Sequence, residues 1–434
     1  MGNREVFKKR RDAFIDGMTG DAVAIFAAAP VTTRNNDVEN EYRQESDFYY
    51  LSGFDEPESV LVLSAKDRKT TLFVRARDPE REIWDGPRAG VEGAKGDFGA
   101  DDAFVIGAFD EHLPKLLQDN NRLYFRLGRD RALDERLLAV IDKGRTRARA
   151  TFVWPSEIID PGSVLHEMRL FKSAEDVASM RKAAEITADA HKRAMAAAKP
   201  GMHEYEIEAL LLEAFRRHGS ERPAYGSIVG SGPNATILHY RSNNRKMEAG
   251  DLLLIDAGCE FEYFASDVTR TLPVSGTFSK EQRAIYEIVL EAQLASIEAT
   301  RPGATLEEIH SRSVEVITAG LARVGILAGE TEKLINEEAY RPFFMHRTSH
   351  WLGMDVHDVG LYFRGGKPRK LEAGMVITVE PGIYIGKDCE KVEARWRGIG
   401  VRIEDDILVT EAGPINLTQA IPKTVAEVEQ ACRA

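Results

Sequence analysis

Residues 369–382 read RKLEAGMVITVEPG, and residues 245–258 read RKMEAGDLLLIDAG. In each, a short apolar run of strand character, MVITV or LLLI, ends on a carboxylate, Glu380 or Asp256, just before a glycine-containing turn. Short apolar runs bounded by turn formers are the pattern of a buried strand. A charge ending such a strand is costly unless something compensates it. Because the same phrase occurs twice, it points to an internal duplication.

A second echo supports this. KPGMHEYEIEAL (199–210) resembles RPGATLEEIHSR (301–312), each following one helical segment and opening another. The segment from Ser173 to Lys199 carries an N-cap serine, acidic residues in its first turn and few breakers, which predicts one long helix. Each half of residues 173–434 therefore reads as two helices followed by strands, with an insertion in the second half that contains HRTSHWLGMDVHDVG (346–360). Upstream, SVLVLSA, TTLFVRA and RLYFRLG alternate with helical patterns such as RALDERLLAVIDKG, an α/β signature. The loop-rich stretch 155–172 marks the boundary, giving domains of residues 1–172 and 173–434.

Two further carboxylates lie near the echoed strands. CEFEYFASDVTRTLPV brings Asp267 after Asp256, and an antiparallel hairpin would draw the two together. In GVRIEDDILVT, alternation puts Val401, Ile403 and Ile407 on one face and Arg402, Glu404 and Asp406 on the other. Taken singly, each acid reads more readily as a surface turn or strand-edge residue than as a ligand, and Arg402 with Glu404 as a solvated pair. If the four acids converge, however, their mutual repulsion requires cations. Three of the chain's ten histidines, His346, His350 and His357, crowd the glycine-containing insertion, and His239 sits in the loop-like GSGPNATILHYRSNN just before the IDAG strand. Such a constellation indicates a functional site.

Composition limits the alternatives. The 434 residues are 43% hydrophobic and 29% charged, as in a globular protein, with a net charge of -12 that argues against nucleic-acid binding. The basic start MGNREVFKKRRDAF lacks the apolar core of a signal peptide, Val6 stands where a myristoylation signal needs Ser or Thr, and AVAIFAAAP is too short to span a membrane. Cys259, Cys389 and Cys432 show no metal-type spacing and an odd count, so the expectation is a cytoplasmic protein with no membrane partner.

In this order and spacing, DAG with DVTRT, HWLGMDVHD, the VEPG strand and GVRIEDD resemble the metallopeptidases of the pita-bread fold, the class that contains methionine aminopeptidase, prolidase and aminopeptidase P. SHWLGMDVHDVG and the N-terminal YRQESDFYYLSGFDEPESVLVL resemble the aminopeptidase P branch, so that the likeness covers nearly the whole chain.

The resemblance implies an α+β protein: a C-terminal pita-bread catalytic domain, a pseudo-twofold antiparallel sheet covered by helices, preceded by an N-terminal α/β creatinase-like domain. It implies two divalent ions per chain held by Asp256, Asp267, His350, Glu380 and Glu404, with Asp267 and Glu404 bridging. Such a donor set suits Mn²⁺, with Co²⁺ or Zn²⁺ as alternatives. It implies attack of a bridging hydroxide on the bond preceding proline, with Glu380 as proton shuttle, His239 and His357 binding substrate and stabilising the oxyanion, His346 lining the pocket and Arg402 supporting the ligands. Trp84, in the loop-like REIWDGPRAG, and Tyr384 complete the expected substrate-binding set. The implied partners are proline-containing peptides and further copies of the chain, as a homodimer or homotetramer. Arg347, where a small residue is expected, and DGPRAG after Trp84 depart from the family pattern. Three readings compete: an Xaa-Pro aminopeptidase, an Xaa-Pro dipeptidase (prolidase), and a binding module on the same fold. The full ligand set argues against the last.

Overall fold

A computed structural model describes residues 4–146 and 152–433 of the chain. These fall into two compact units that divide between Met168 and Arg169. The division lies slightly upstream of the expected 172/173 boundary because Arg169 and Lys172 are tied into the second unit. Both contact the buried Asp358 carboxylate, at 2.6 and 3.0 Å.

The N-terminal unit is built on a mixed six-stranded sheet. Its strands are β1 (Ala22–Ala27), β2 (Val60–Ser64), β3 (Lys69–Val74), β4 (Asp102–Val105), β5 (Arg122–Tyr124) and β6 (Glu157–Ile159), in the spatial order β4-β3-β2-β1-β5-β6. The AVAIF run thus becomes a central strand, buried on both faces, rather than a membrane segment. Among the described residues no helix is long and apolar enough to cross a membrane. Trp84 lies in a short helix, α1 (Pro79–Asp85), not in a loop. Asp78 caps that helix and Pro79 starts it with a preset φ, so the glycine and proline read as loop signals only bound its end.

In the second unit each half opens with a helix pair, α2 (Ala174–Ala197) with α3 (Glu204–Arg217), then α4 (Lys280–Ala299) with α5 (Leu306–Arg323). Capping boxes start α2 at Ser173 with Asp176, α4 at Ser279 with Gln282 and α5 at Thr305 with Glu308. A side-chain cap of this kind contributes about 1 kcal/mol. The first half then lays down an antiparallel sheet of β7 (Ile228–Ser231), β8 (Leu252–Asp256) and β9 (Thr269–Pro273), with Asp256 opposite Thr269. The second half repeats the plan with β10 (Val376–Val379), β11 (Gly382–Ile385), β12 (Ile399–Arg402), β13 (Asp405–Thr410) and β14 (Gly413–Asn416). Here β10 pairs with β13, Val379 opposite Asp405, while β11 pairs with β12.

The halves join where the backbone of Glu404 donates to the Thr269 carbonyl at 3.1 Å and that of Arg402 to the Thr271 hydroxyl at 3.2 Å. The LLLI run of β8 is apolar throughout because both faces are covered: Leu253 and Ile255 pack in the helix-lined core, Leu254 against Ile228 and Tyr384. Full burial of each such side chain is worth roughly 1.5–3 kcal/mol. The glycine of the DAG turn has a steric reason. A Cβ on Gly258 would lie 1.8 Å from the Ser266 carbonyl oxygen, so only glycine lets the chain fold back against the residue before Asp267.

GVRIEDDILVT is not one strand. It breaks at Ile403 and Glu404 into β12 and β13, which belong to different sheets, and both faces are buried. Arg402, Glu404 and Asp406 are only 3%, 2% and 1% exposed, which removes the reading of Arg402 and Glu404 as a solvated pair. The other half of the duplication covers the face that alternation would leave to solvent.

Candidate metal centre

Five elements deliver five ligand candidates to one cavity of ≈ 310 Å³. Asp256 ends β8, Asp267 precedes β9, Glu380 follows β10 and Glu404 precedes β13. His350 lies in the insertion, whose residues 348–351 run alongside β10: the amide of Thr378 donates to the His350 carbonyl at 3.0 Å and that of Glu380 to the Thr348 carbonyl at 2.8 Å. This pairing sets His350 beside Glu380.

Ligand atoms of Asp267, His350 and Glu404 lie within 4.8 Å of one another. His350 Nε2 is 3.4 Å from Asp267 Oδ2 and 3.5 Å from Glu380 Oε1. Its Nδ1 is 3.0 Å from the Trp351 carbonyl, an acceptor that holds the ring proton there and leaves Nε2 directed at the acids. Asp256 lines the same cavity. Its Oδ1 accepts from the Tyr225 hydroxyl at 2.6 Å and its Oδ2 from Arg402 at 2.6 Å. Thr269 Oγ1 accepts from Arg402 Nε at 2.9 Å and donates to Glu404 Oε2 at 2.6 Å.

The electrostatics are those of a site short of positive charge. Burial, reinforced by Asp267 and Glu380, raises Glu404 well above the usual carboxylate range. Burial lifts Glu380 to about 7, against the opposing pull of His350 and Arg402. Asp256 is raised by burial, which outweighs the opposing Arg402. Burial disfavours the His350 imidazolium, but the Asp267 hydrogen bond and the charge of Glu380 outweigh it and push the ring up to about 9. Proton uptake at these groups answers the same need that divalent cations would meet, and a donor set of four carboxylates and one imidazole, with no cysteine, fits hard to borderline divalent ions.

His239 and His357 line the cavity, His357 with its ring 4.4 Å from that of His350 and nearly perpendicular to it. His346 also lines it and ends a fixed relay. Arg402 donates to the Tyr384 hydroxyl at 2.8 Å, which donates to His346 Nε2 at 2.9 Å, while His346 Nδ1 donates to the Arg347 carbonyl at 2.7 Å. Burial, with Arg402 adding to it, lowers His346 to about 3, so the ring is neutral. Tyr384 is 2% exposed and stands behind the cavity wall, supporting Arg402 and His346 rather than facing the space a substrate would fill. Arg347 sits at the rim with its guanidinium on Glu307 at 2.7 Å. Trp84 belongs to the N-terminal unit, where it is 84% exposed; every residue lining the cavity lies in the second unit.

Sequence reading missed Tyr225, Thr269 and the apolar walls Ile228, Leu238 and Val356, and gave Asp406 a face but no role. Thr269 could have been found, since strand alternation from Asp267 returns it to the same face. Asp406, whose carboxylate accepts from the Asp267 amide at 3.2 Å, was visible only as a neighbour of Glu404. Nothing local marks Tyr225.

With the geometry established, comparison with known proteins identifies the surroundings of this site. Residues 178–411 match the metallopeptidase family M24, and residues 7–124 match the aminopeptidase P N-terminal domain. The Xaa-Pro aminopeptidase of Escherichia coli (strain K12) is 46% identical over 430 residues, covering 98% of this chain and 97% of the relative. The structure of Pseudomonas aeruginosa aminopeptidase PepP superposes with a TM-score of 0.97 at 52% identity, covering 99% of this chain and 98% of that one. Zinc-substituted Escherichia coli aminopeptidase P in complex with product gives 0.96 at 46% identity, with 99% and 98% covered.

Proposed function

Because this chain belongs to metallopeptidase family M24 and carries the aminopeptidase P N-terminal domain, we propose that it is a metal-dependent Xaa-Pro aminopeptidase, releasing the N-terminal residue from peptides with proline second. The observation that carries this reading is the convergence of Asp256, Asp267, His350, Glu380 and Glu404 on one cavity walled by His239 and His357.

Those five side chains would hold two divalent ions, with Asp267 and Glu404 shared. Mn²⁺ is the proposed metal and Co²⁺ or Zn²⁺ the alternatives; the zinc-substituted relative is consistent with such tolerance. When bound, the ions supply Lewis acidity that lowers the pKa of water and polarises the scissile carbonyl. The protein's own groups do the rest. Arg402 and Tyr225 hold the Asp256 carboxylate in place by its two oxygens. Glu380 takes a proton from the attacking water and returns it to the departing proline nitrogen. His239 and His357 donate hydrogen bonds to the carbonyl oxygen as it gains charge. Ile228, Leu238 and Val356 give the cavity the apolar surface a proline ring requires.

Peptide length separates this activity from that of a dipeptidase, which would need a cation or donors closing the far side of the pocket on the proline carboxylate. A tripeptide Xaa-Pro-Yaa is expected to be cleaved at the Xaa-Pro bond with kcat/KM at least about tenfold above Xaa-Pro, about 1.4 kcal/mol in transition-state binding. Steady-state kinetics on both peptides with Mn²⁺-loaded protein check this. Preference for the dipeptide would reassign the protein as a prolidase.

The protein acts as a homodimer or homotetramer in the cytoplasm. Ile83 and Trp84 are 82% and 84% exposed on α1, a helix with no buried residue, which suits a face covered by another copy that brings Trp84 to a substrate site. The free Cys259, Cys389 and Cys432 are consistent with a reducing compartment. Light scattering is expected to show an assembly that Trp84→Glu dissociates. A monomer with full activity at nanomolar concentration would refute it.

A further inference from the structure

Glu204, the first residue of α3, is fully buried, and no step of the reaction uses it. A buried carboxylate costs several kcal/mol unless hydrogen bonds occupy its oxygens. Five donors do so, and all come from the segment 231–245. Oε1 accepts from the Ser231 amide and hydroxyl, each at 2.7 Å, and from Asn234 Nδ2 at 3.2 Å; Oε2 accepts from the Tyr240 hydroxyl and the Arg245 amide, each at 2.8 Å. The carboxylate therefore grips both ends of the segment and two points inside it, Asn234 and Tyr240.

The second of these, Tyr240, adjoins His239. After the 3-10 turn Gly232–Thr236 the chain has no regular structure around His239, whose side chain reaches the cavity from an exposed position. With no ladder or helix to fix it, the imidazole takes its place from the anchors that flank it, Asn234 before and Tyr240 after. Asn243, further along on the same side as Tyr240, adds a third anchor, accepting from the Val229 amide at 3.0 Å and donating to the Ser227 carbonyl at 2.9 Å.

We propose that Glu204, acting through the Tyr240 hydroxyl, is a positioning residue for His239. The inference rests on the substrate-binding role given to His239 under the proposed function. A misplacement of about 1 Å in such a group can cost up to about 100-fold in rate. Tyr240→Phe removes one hydrogen bond and little volume, whereas Glu204→Gln turns an amide donor toward a ring of donors and is the harsher change.

The test is a double-mutant cycle on the Mn²⁺-loaded full-length protein, with kcat and KM measured separately on Xaa-Pro-Yaa, alongside metal content and melting temperature. Tyr240→Phe is expected to lower kcat/KM about tenfold, chiefly through kcat, with metal content unchanged and the melting temperature lower by only a few °C. In a His239→Ala background the same substitution is expected to change kcat/KM less than about twofold. Glu204→Gln is expected to follow the same dependence with a larger loss. An equal fold-loss in both backgrounds, or none with His239 present, overturns the positioning role. A His239→Ala protein with unimpaired turnover overturns instead the reading of His239 itself, and the inference with it.

Discussion

Glu404→Ala is expected to lower kcat/KM by at least about 10³-fold, more than about 4 kcal/mol of transition-state stabilisation, and to lose bound metal at the same time. Glu404 is 2% exposed, part of the donor cluster with Asp267 and His350, and oriented by the Thr269 hydroxyl at 2.6 Å. Removing it takes away a ligand proposed to serve both ions. Changes to groups that merely orient a ligand already cost about 10–100-fold in affinity or activity, so loss of the ligand itself should exceed that.

The variant should nevertheless fold, because in the metal-free protein Glu404 stands among buried acids that repel it. Melting with and without Mn²⁺ then gives a second readout. The wild type should gain melting temperature on adding metal, and Glu404→Ala should gain little, because a ligand stabilises only the state that binds it. Metal analysis showing two ions retained, or kcat/KM within about tenfold of wild type, would refute the role.

The second large effect is on stability and should not depend on metal. Asp405→Ala is expected to cost about 3–5 kcal/mol, because it strips a buried guanidinium of its counter-ion. Asp405 and Arg270 are both fully buried and paired at 2.7 Å. Asp405 also accepts from Thr418 and Gln293, each at 2.8 Å, and from Lys423 at 2.7 Å. Burial alone would raise its pKa, but Arg270 and Lys423 outweigh that and hold the carboxyl below its ordinary range.

Arg270 uses its remaining donors on the carbonyls of Thr269, Glu404 and Pro422, at 2.9, 2.6 and 3.0 Å. The pair thus clamps β9 to the segment entering β13. At about 2–4 °C per kcal/mol for a domain of roughly this size, the melting temperature should fall by about 6–20 °C. Calorimetry in chelator and in Mn²⁺ should give similar drops. A fall below about 2 °C would show that the clamp is dispensable.

How much of this was legible in the chain follows the range of the forces involved. The helix start at Ser173 could be read because a cap is a contact across three residues. The strands ending in Asp256 and Glu380 could be read because period and punctuation are local, and their repetition exposed the duplication. The cluster of histidines at 346–357 was a local signal too. Trp84 was misplaced into a loop because a glycine and a proline beyond a short helix look the same as those within a loop.

The sequence by itself determined the paired helix–strand halves and the acids at their strand ends, and the resemblance those motifs carry supplied the expected ligand set. What it left open was whether those acids meet. Arg402 reaches Asp256 across 146 positions, and Thr269 reaches Glu404 across 135. Alternation assigned Arg402, Glu404 and Asp406 a common face but could not say whether water or protein lies on it. That was decided when the first half packed against the second, sealed the face from solvent and, with neighbouring acids in low dielectric, converted ordinary carboxylates into a site in need of cations. Tyr225 and Glu204 became visible only then, because each owes its role to a partner brought near by packing and carries no periodic signal of its own; Tyr384, expected among the substrate-binding residues, showed only there its contacts to Arg402 and His346.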